Sequence, residues 1–93
     1  MRGLRSPTRD GGAEERPPAS ADRLLNRVRA LRLAAELTQA SLAERAGVTR
    51  QTIIAIERGG YVPSVALALV LARELSTPVE QVFWLGRTEE ENA

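Results

Sequence analysis

The chain has 93 residues, enough for a single domain, and 43% of them are apolar, but only Tyr61, Phe83 and Trp84 are aromatic. It contains neither cysteine nor histidine, which excludes disulfides, thiolate chemistry, most zinc sites and most nucleophile–base pairs, so we expect no cofactor and no metal. The net charge of +1 is unevenly spread, since residues 22 to 87 hold nine arginines against six acidic residues, and a surplus of that size is by itself weak evidence for a nucleic-acid partner.

The two ends of the chain differ in composition from its middle. Residues 1 to 21 are rich in glycine, proline, serine and charge, and predict a disordered tail whose arginines could touch DNA but are more simply solvated. Residues 88 to 93 predict a short acidic tail, which leaves residues 22 to 87 as the domain. There is no apolar run of the roughly 18 residues that span a membrane and no signal-peptide segment, so we expect a cytoplasmic protein.

Five short helices are predicted between the tails, from apolar residues that recur every three or four positions. The first four are expected over residues 27 to 35, 39 to 46, 50 to 58 and 65 to 75, with Asn26, Thr38, Thr49 and Ser64 as capping residues. The fourth is apolar over much of its surface, and we expect it to run through the core. Thr77-Pro78-Val79-Glu80 predicts a capping box that opens the fifth, which ends near Phe83.

The second and third predicted helices are joined by Gly47, Val48 and Thr49 alone, which is the spacing of a helix-turn-helix. Arg50 and Gln51 then stand on the exposed first turn of the third helix. In such motifs this end enters the major groove of DNA, where arginine reads guanine and glutamine reads adenine through paired hydrogen bonds. Taken by themselves, both residues are more simply solvated, and it is the surrounding helix-turn-helix that favours base readout.

Residues 26 to 82 resemble the DNA-binding domain of the lambda-repressor/Cro-like (XRE) family. The resemblance is carried by LTQASLAERAGVTRQTIIAIERGGYVPS and the following LALVLARELSTPVEQVFWL, in which helices, turn and loop are in register. Small dimeric repressors of the cytolysin-repressor type are the more similar members, and restriction–modification controllers are less so. The resemblance implies an all-α, five-helix domain with a small antiparallel two-stranded sheet, for which residues 23 to 25 and 83 to 86 are the candidate strands.

The resemblance also implies roles for single side chains. Gln39 matches a glutamine that contacts a phosphate and braces a reading side chain, and Arg32 and Glu57 match a structural ion pair between the first and third helices. Tyr61 matches a backbone-contact position, although it could equally pack as a rim residue on the fourth helix. The DNA-binding residues implied in this way are Thr38, Gln39, Thr49, Arg50, Gln51, Thr52, Ala55, Arg58 and Tyr61.

Two features depart from the family pattern. Ile54 and Ala55 occupy positions that are often polar, so they either meet thymine methyl groups or indicate weaker specificity. The loop RGGYVP lacks a lysine that often precedes the tyrosine, which would leave DNA affinity to depend more on Arg58 and on the N-terminal tail.

A homodimer is expected from the apolar residues that flank the helices. The predicted interface consists of Leu24, Leu25, Phe83, Trp84 and Leu85, and the alternative is that all five complete the core of the monomer. If Phe83 and Trp84 share a helix, they point in different directions and one of them is exposed. A two-fold dimer would set the two third helices about 34 Å apart, one turn of DNA, on a palindromic operator.

These observations favour a sequence-specific regulator of transcription that represses by occupying a promoter. The alternative is a helix-turn-helix that contacts protein, as in the antitoxin of a toxin–antitoxin pair. An enzyme is disfavoured, because the sequence also lacks a glycine-rich phosphate loop and clustered carboxylates. The expected partners are double-stranded DNA and a second copy of the chain, with a protein partner in the alternative and no membrane.

Overall fold

The computed structural model describes residues 23 to 86, so both predicted tails lie outside the described residues. The elements are β1 (Arg23–Asn26), α1 (Val28–Ala34), α2 (Gln39–Ala46), α3 (Arg50–Glu57), α4 (Val65–Glu74), α5 (Val79–Val82) and β2 (Phe83–Gly86). The predicted fold of five helices with a small two-stranded sheet is confirmed, and the first four helices lie within a residue of their predicted bounds. Within residues 23 to 86, no helix has the length and apolar character that crossing a bilayer requires.

Three helices begin at the capping side chains that the sequence predicts. The hydroxyl oxygens of Thr38, Thr49 and Ser64 each accept a hydrogen bond from the backbone N–H three residues further on, at 2.9, 3.2 and 3.0 Å. Each cap satisfies one of the N–H groups that a helix leaves without a partner in its first turn. The starting points of α2, α3 and α4 are therefore fixed by local sequence.

The other two predicted caps differ from expectation. Asn26 lies in β1, and the N-cap position of α1 is Arg27, which has no side-chain cap. The Asn26 Oδ1 accepts from the N–H of Val28 at 3.0 Å while its Nδ2 donates to the carbonyl of Ile56, so Asn26 ties the start of α1 to α3. The capping box predicted for α5 is wrong. The Thr77 hydroxyl donates instead to the carbonyl of Leu75 at 2.9 Å, because the last carbonyls of α4 lack donors within their own helix, and α5 begins without a side-chain cap.

The core lies between the helices and one face of the sheet. Its fully buried side chains are Val28, Leu42, Ile53, Ile56, Leu71 and Val82. The expectation that α4 runs through this core is wrong for one of its sides, where Val65 and Leu69 are 76% and 52% exposed. Since α4 packs on α2 and α5, only the opposite side of the helix, which includes Leu71, is covered.

The sheet joins the first and last elements of the domain. The strands are antiparallel, with Leu24 opposite Leu85 and Leu25 opposite Trp84. Phe83 and Trp84 point to opposite faces because they are neighbours in a strand, and not because they share a helix. Phe83 is buried and Leu24 packs against the core, whereas Leu25 and Trp84 lie on the face turned away from it.

Gly47, at the end of α2, adopts a left-handed conformation with a φ of 77°. Replacing it by alanine should lower the free energy of unfolding by about 1–2 kcal/mol, because an L residue is strained in this region. The new Cβ would meet no atom within 4 Å, so the backbone conformation is the source of the loss. Unfolding in urea measures it.

Gly60→Ala is the matched control for this prediction. Gly60 does not have a positive φ, and a Cβ there would meet only the Ala55 carbonyl oxygen, at 4.0 Å. We expect this variant to unfold at nearly the wild-type urea concentration. Equal losses in the two variants would show that the left-handed conformation of Gly47 is not the cause.

Candidate nucleic-acid interface

The turn between α2 and α3 presents the start of α3 to solvent. Gly47 reverses the chain, and the N–H of Val48 donates to the carbonyl of Ala43 at 3.0 Å, which closes the turn against α2. The Val48 side chain packs partly against the core, as its predicted place in the junction requires. Thr49 then caps α3, and Arg50 and Gln51 follow on its first turn with exposed side chains.

The outer side of α3 changes character along its length. Ile53 and Ile56 are fully buried and hold the inner side of the helix against the core. The exposed side begins with the charged and amide groups of Arg50 and Gln51, and continues with the half-buried Ile54 and Ala55. Thr52, also half-buried, has its hydroxyl 3.1 Å from that of Thr49. The helix thus offers hydrogen-bonding groups at its start and an apolar strip further on.

Glu57, the last residue of α3, is bound by side chains from two other helices. Arg32 donates from Nε to Oε2 at 2.7 Å and from Nη2 to Oε1 at 3.2 Å, which confirms the predicted ion pair. The two side chains are 8% and 6% exposed, so water screens the pair little. Gln39 donates from Nε2 to Oε1 of the same carboxylate, also at 3.2 Å. The start of α2 is thereby fixed against the end of α3.

A hollow of about 330 Å³ lies beside α3, and we call it the α3 hollow. Its lining residues are Arg29, Gln39, Arg50, Ile54, Glu57 and Arg58. The charge of Glu57 is compensated by Arg32, whereas the three lining arginines have no ion-pair partner within residues 23 to 86. The α3 hollow therefore has a net positive charge and suits an anionic ligand.

The chain that follows α3 forms a second hollow with the sheet, of about 270 Å³, which we call the sheet hollow. Arg58 and Tyr61 line it from the loop, and Arg23 lines it from β1. Tyr61 is half-buried and packs partly against the core, and it lines the sheet hollow together with Arg58. Arg58 lines both hollows, so the two adjoin at this residue.

The sequence of this domain matches a known protein family. Residues 28 to 82 match the family model described as helix-turn-helix. The chain belongs to the helix-turn-helix family. Within that family it is a DNA-binding transcriptional regulator of the XRE type.

Individual helix-turn-helix proteins are similar over most of their length. An HTH-type transcriptional regulator of Bacillus subtilis is 51% identical over 67 residues, which cover 72% of this chain and 97% of the relative. The restriction–modification controller protein C.AhdI from Aeromonas hydrophila is 33% identical with a TM-score of 0.56, over 58% of this chain and 82% of that one. The transcriptional regulator VanUg has a TM-score of 0.61 at 16% identity, over 78% and 97% of the two chains, and shows the shared fold alone.

The structure of this helix-turn-helix regulator brings most of the predicted DNA-binding residues together. Gln39, Arg50 and Arg58 share the α3 hollow, and Tyr61 adjoins it through the sheet hollow. Thr38 and Thr49 serve as helix caps, and Gln51, Thr52 and Ala55 follow the outer side of α3. Sequence reasoning missed Arg29, although its place one turn before Arg32 on α1 indicates the side that faces α3.

The predicted dimer residues all lie in the sheet but differ in exposure. Phe83 is a member of the core and Leu24 packs against it, so both have a place in the monomer. Trp84 and Leu25 are half-buried, and Leu85 is 59% exposed.

Proposed function

We propose that the protein represses transcription as a homodimer that reads a palindromic operator with α3. The proposal depends on the position of Arg50 and Gln51. Both are exposed on the first turn of a capped helix whose opposite side is fixed in the core by Ile53 and Ile56. Side chains presented in this way from the second helix of the motif reach the base edges of the major groove, where arginine recognises guanine and glutamine recognises adenine.

The residues around α3 suit contacts with the DNA backbone. Gln39 uses one amide hydrogen on Glu57, so its second amide hydrogen and its carbonyl oxygen remain available at the α3 hollow. Arg58 and Tyr61 flank the other end of α3, and the hydroxyls of Thr38, Thr49 and Thr52 lie at the helix starts. Such contacts fix the register of the protein on the duplex without reading sequence. Ala55, with Ile54, then suits the methyl groups of thymine.

The sheet suits a contact between two copies of the chain. Leu25 and Trp84 lie opposite one another on the face that does not pack on the core. Leu85, which is 59% exposed, lies opposite Leu24 on the other face, at the end of β2. A two-fold axis at this sheet gives a self-complementary interface, and on B-DNA two recognition helices one turn apart are separated by about 34 Å. Occupation of a promoter by this dimer would exclude RNA polymerase.

A second candidate function is contact with a partner protein, as in an antitoxin. The observation that favours it is the exposed apolar side of α4, where Val65 and Leu69 lie in the open. A small toxin gene beside the gene for this chain, and co-purification of its product, would support this candidate.

Selection of genomic DNA on the immobilised protein tests the proposed function. We expect the wild type to enrich a palindromic site. Arg50→Ala and Gln51→Ala should each lose about 1–3 kcal/mol of binding free energy per half-site, because each removes one contact to a base from each half-site. Gln51→Ala should bind random DNA as the wild type does, since it removes no charge.

Arg73→Ala is the control for these variants. Arg73 lies on α4 with its side chain 70% exposed, beside Glu74, so its loss should leave the selected sequence unchanged. Enrichment of no sequence by the wild type would overturn the proposed function. Enrichment of a single half-site would overturn the homodimer.

A further inference from the structure

The described arginines fall into two groups according to their partners. Arg45 and Arg73 both lie beside Glu74, with nitrogen–oxygen distances of 3.9 and 3.3 Å. Arg32 is bound to Glu57, and Arg27 donates to the carbonyl of Gln81 at 3.3 Å. The side chains of the remaining four arginines form no hydrogen bond or ion pair with another residue of 23 to 86, and these are Arg23, Arg29, Arg50 and Arg58.

These four arginines line two hollows that adjoin at Arg58. Three of them line the α3 hollow, and Arg23 and Arg58 line the sheet hollow beside it. Arg32 is bound behind Glu57. The other arginines that line neither hollow are paired away from α3, with Glu74 for Arg45 and Arg73 and with the Gln81 carbonyl for Arg27. The arginine side chains without a partner in the described domain are therefore concentrated around these two hollows. Arg50 and Arg58 are already among the predicted DNA-binding residues, whereas Arg23 and Arg29 are not.

Arg29 has no role in the proposed function so far, although it lies close to the start of the helix-turn-helix. It is exposed on α1, one turn before Arg32, whose side chain reaches across to Glu57 at the end of α3. It lines the α3 hollow with Arg50, and also a wider, more open hollow with Thr38 and Gln39. Glu36 lines that wider hollow too, but it forms no ion pair with Arg29.

We propose that Arg29 binds a backbone phosphate of the DNA whose bases α3 reads, a step that rests on the proposed function. Arg50 enters the groove from the first turn of α3, and the wall of a major groove is a line of phosphates. Arg29 stands behind Arg50 on the side of α1 and the start of α2, where that wall passes when α2 crosses the backbone. A phosphate there would also relieve the repulsion among the arginines of the α3 hollow, since the carboxylate of Glu57 is already compensated.

The salt dependence of DNA binding tests this assignment. A lost phosphate contact should lower the slope of log affinity against log salt by about 0.9. The proposed homodimer carries two copies of Arg29, so Arg29→Ala should lower the slope by about 1.8. Its affinity deficit relative to wild type should therefore shrink by about 12-fold between 50 and 200 mM salt, while the selected sequence stays the same. Arg29→Lys, which keeps the charge, should retain most of the slope.

Arg73→Ala is again the matched control, because it removes the same charge from an exposed helix position in the group of paired arginines. Its slope should equal that of the wild type. Equal slopes for wild type and Arg29→Ala would overturn the phosphate contact and leave the proposed function standing. Equal reductions in Arg29→Ala and Arg73→Ala would also overturn it, because they would indicate a net-charge effect.

Two further outcomes separate this inference from the proposed function. A changed selected sequence with Arg29→Ala would show that Arg29 reads a base, which overturns the phosphate assignment. If the wild type enriches no sequence, the proposed function fails, but slopes on random DNA still show whether Arg29 contacts a phosphate. Alanine is favourable at an exposed helix position, and circular dichroism should confirm that the variant is folded.

Discussion

Arg32→Ala should lower the free energy of unfolding by about 3–5 kcal/mol, because removing one partner of a buried ion pair leaves the other charge uncompensated. The Glu57 side chain is 6% exposed, and without Arg32 it would keep only the hydrogen bond from Gln39. The carbonyl of Leu37 would lose its donor as well, since Nη1 of Arg32 donates to it at 3.0 Å. Small domains have total stabilities of about 5–15 kcal/mol, so a large fraction of this margin would be lost. Urea unfolding followed by circular dichroism measures it.

Two comparison variants separate burial from charge. Arg45 forms a pair with Glu74 at 3.9 Å, with its own side chain 54% exposed, so Arg45→Ala should cost less than about 1 kcal/mol. The double variant Arg32→Met/Glu57→Leu should recover part of the loss, since no unpaired buried charge remains. If Arg32→Ala costs no more than Arg45→Ala, the buried pair does not hold α1 to α3 as its geometry indicates.

Leu25→Thr/Trp84→Thr should convert the proposed dimer into a monomer. Threonine is compatible with a strand, and neither replaced side chain packs against the core, so the domain should still fold. Two linked reading domains bind two half-sites about 100- to 10,000-fold more tightly than one domain binds one half-site. The variant should lose this advantage on a full palindrome and bind an isolated half-site as the wild type does. Sedimentation equilibrium and binding to both DNAs measure the two effects.

Val65→Thr is the control for the sheet variant. Val65 is the most exposed of the large apolar residues on α4, at 76%, and the same replacement there should leave both mass and operator affinity unchanged. Dissociation by Val65→Thr, with the sheet variant still dimeric, would place the two-fold axis at α4. A wild-type chain that remains monomeric at high concentration would contradict the proposed dimer altogether.

The helix-turn-helix could be predicted closely from the sequence because its signals are local. Thr38 and Thr49 cap helices through the backbone N–H three residues away, and Gly47 ends α2 through its own φ. Such features depend on neighbours in the chain, and they fixed the start of α3 and hence the position of Arg50. The strands are only four residues long, too short for periodicity, and they were predicted from the family resemblance.

The features that the sequence did not predict depend on distant contacts. Thr77 had two acceptable roles, as a cap for α5 or as a donor to the end of α4, and only packing decides between them. The apolar pattern of α4 does not show which of its sides neighbours will cover. The hydrogen bond from Gln39 to Glu57 joins residues from two helices, and the place of Arg29 beside Arg50 requires the packing of α1 on α3. Neither follows from spacing along the chain.

The pairing of β1 with β2 has a consequence for the order in which the domain folds. The two strands enclose all five helices in one loop, and the entropy lost on closing a loop increases with its length. Contacts between neighbours such as α2 and α3 close much shorter loops, so we expect the helices to assemble first and the strands to pair last. The same strands are then the first to separate when the native state opens locally. A second copy bound at this sheet would stabilise the pairing of the two strands. The apparent free energy of unfolding would then rise with protein concentration.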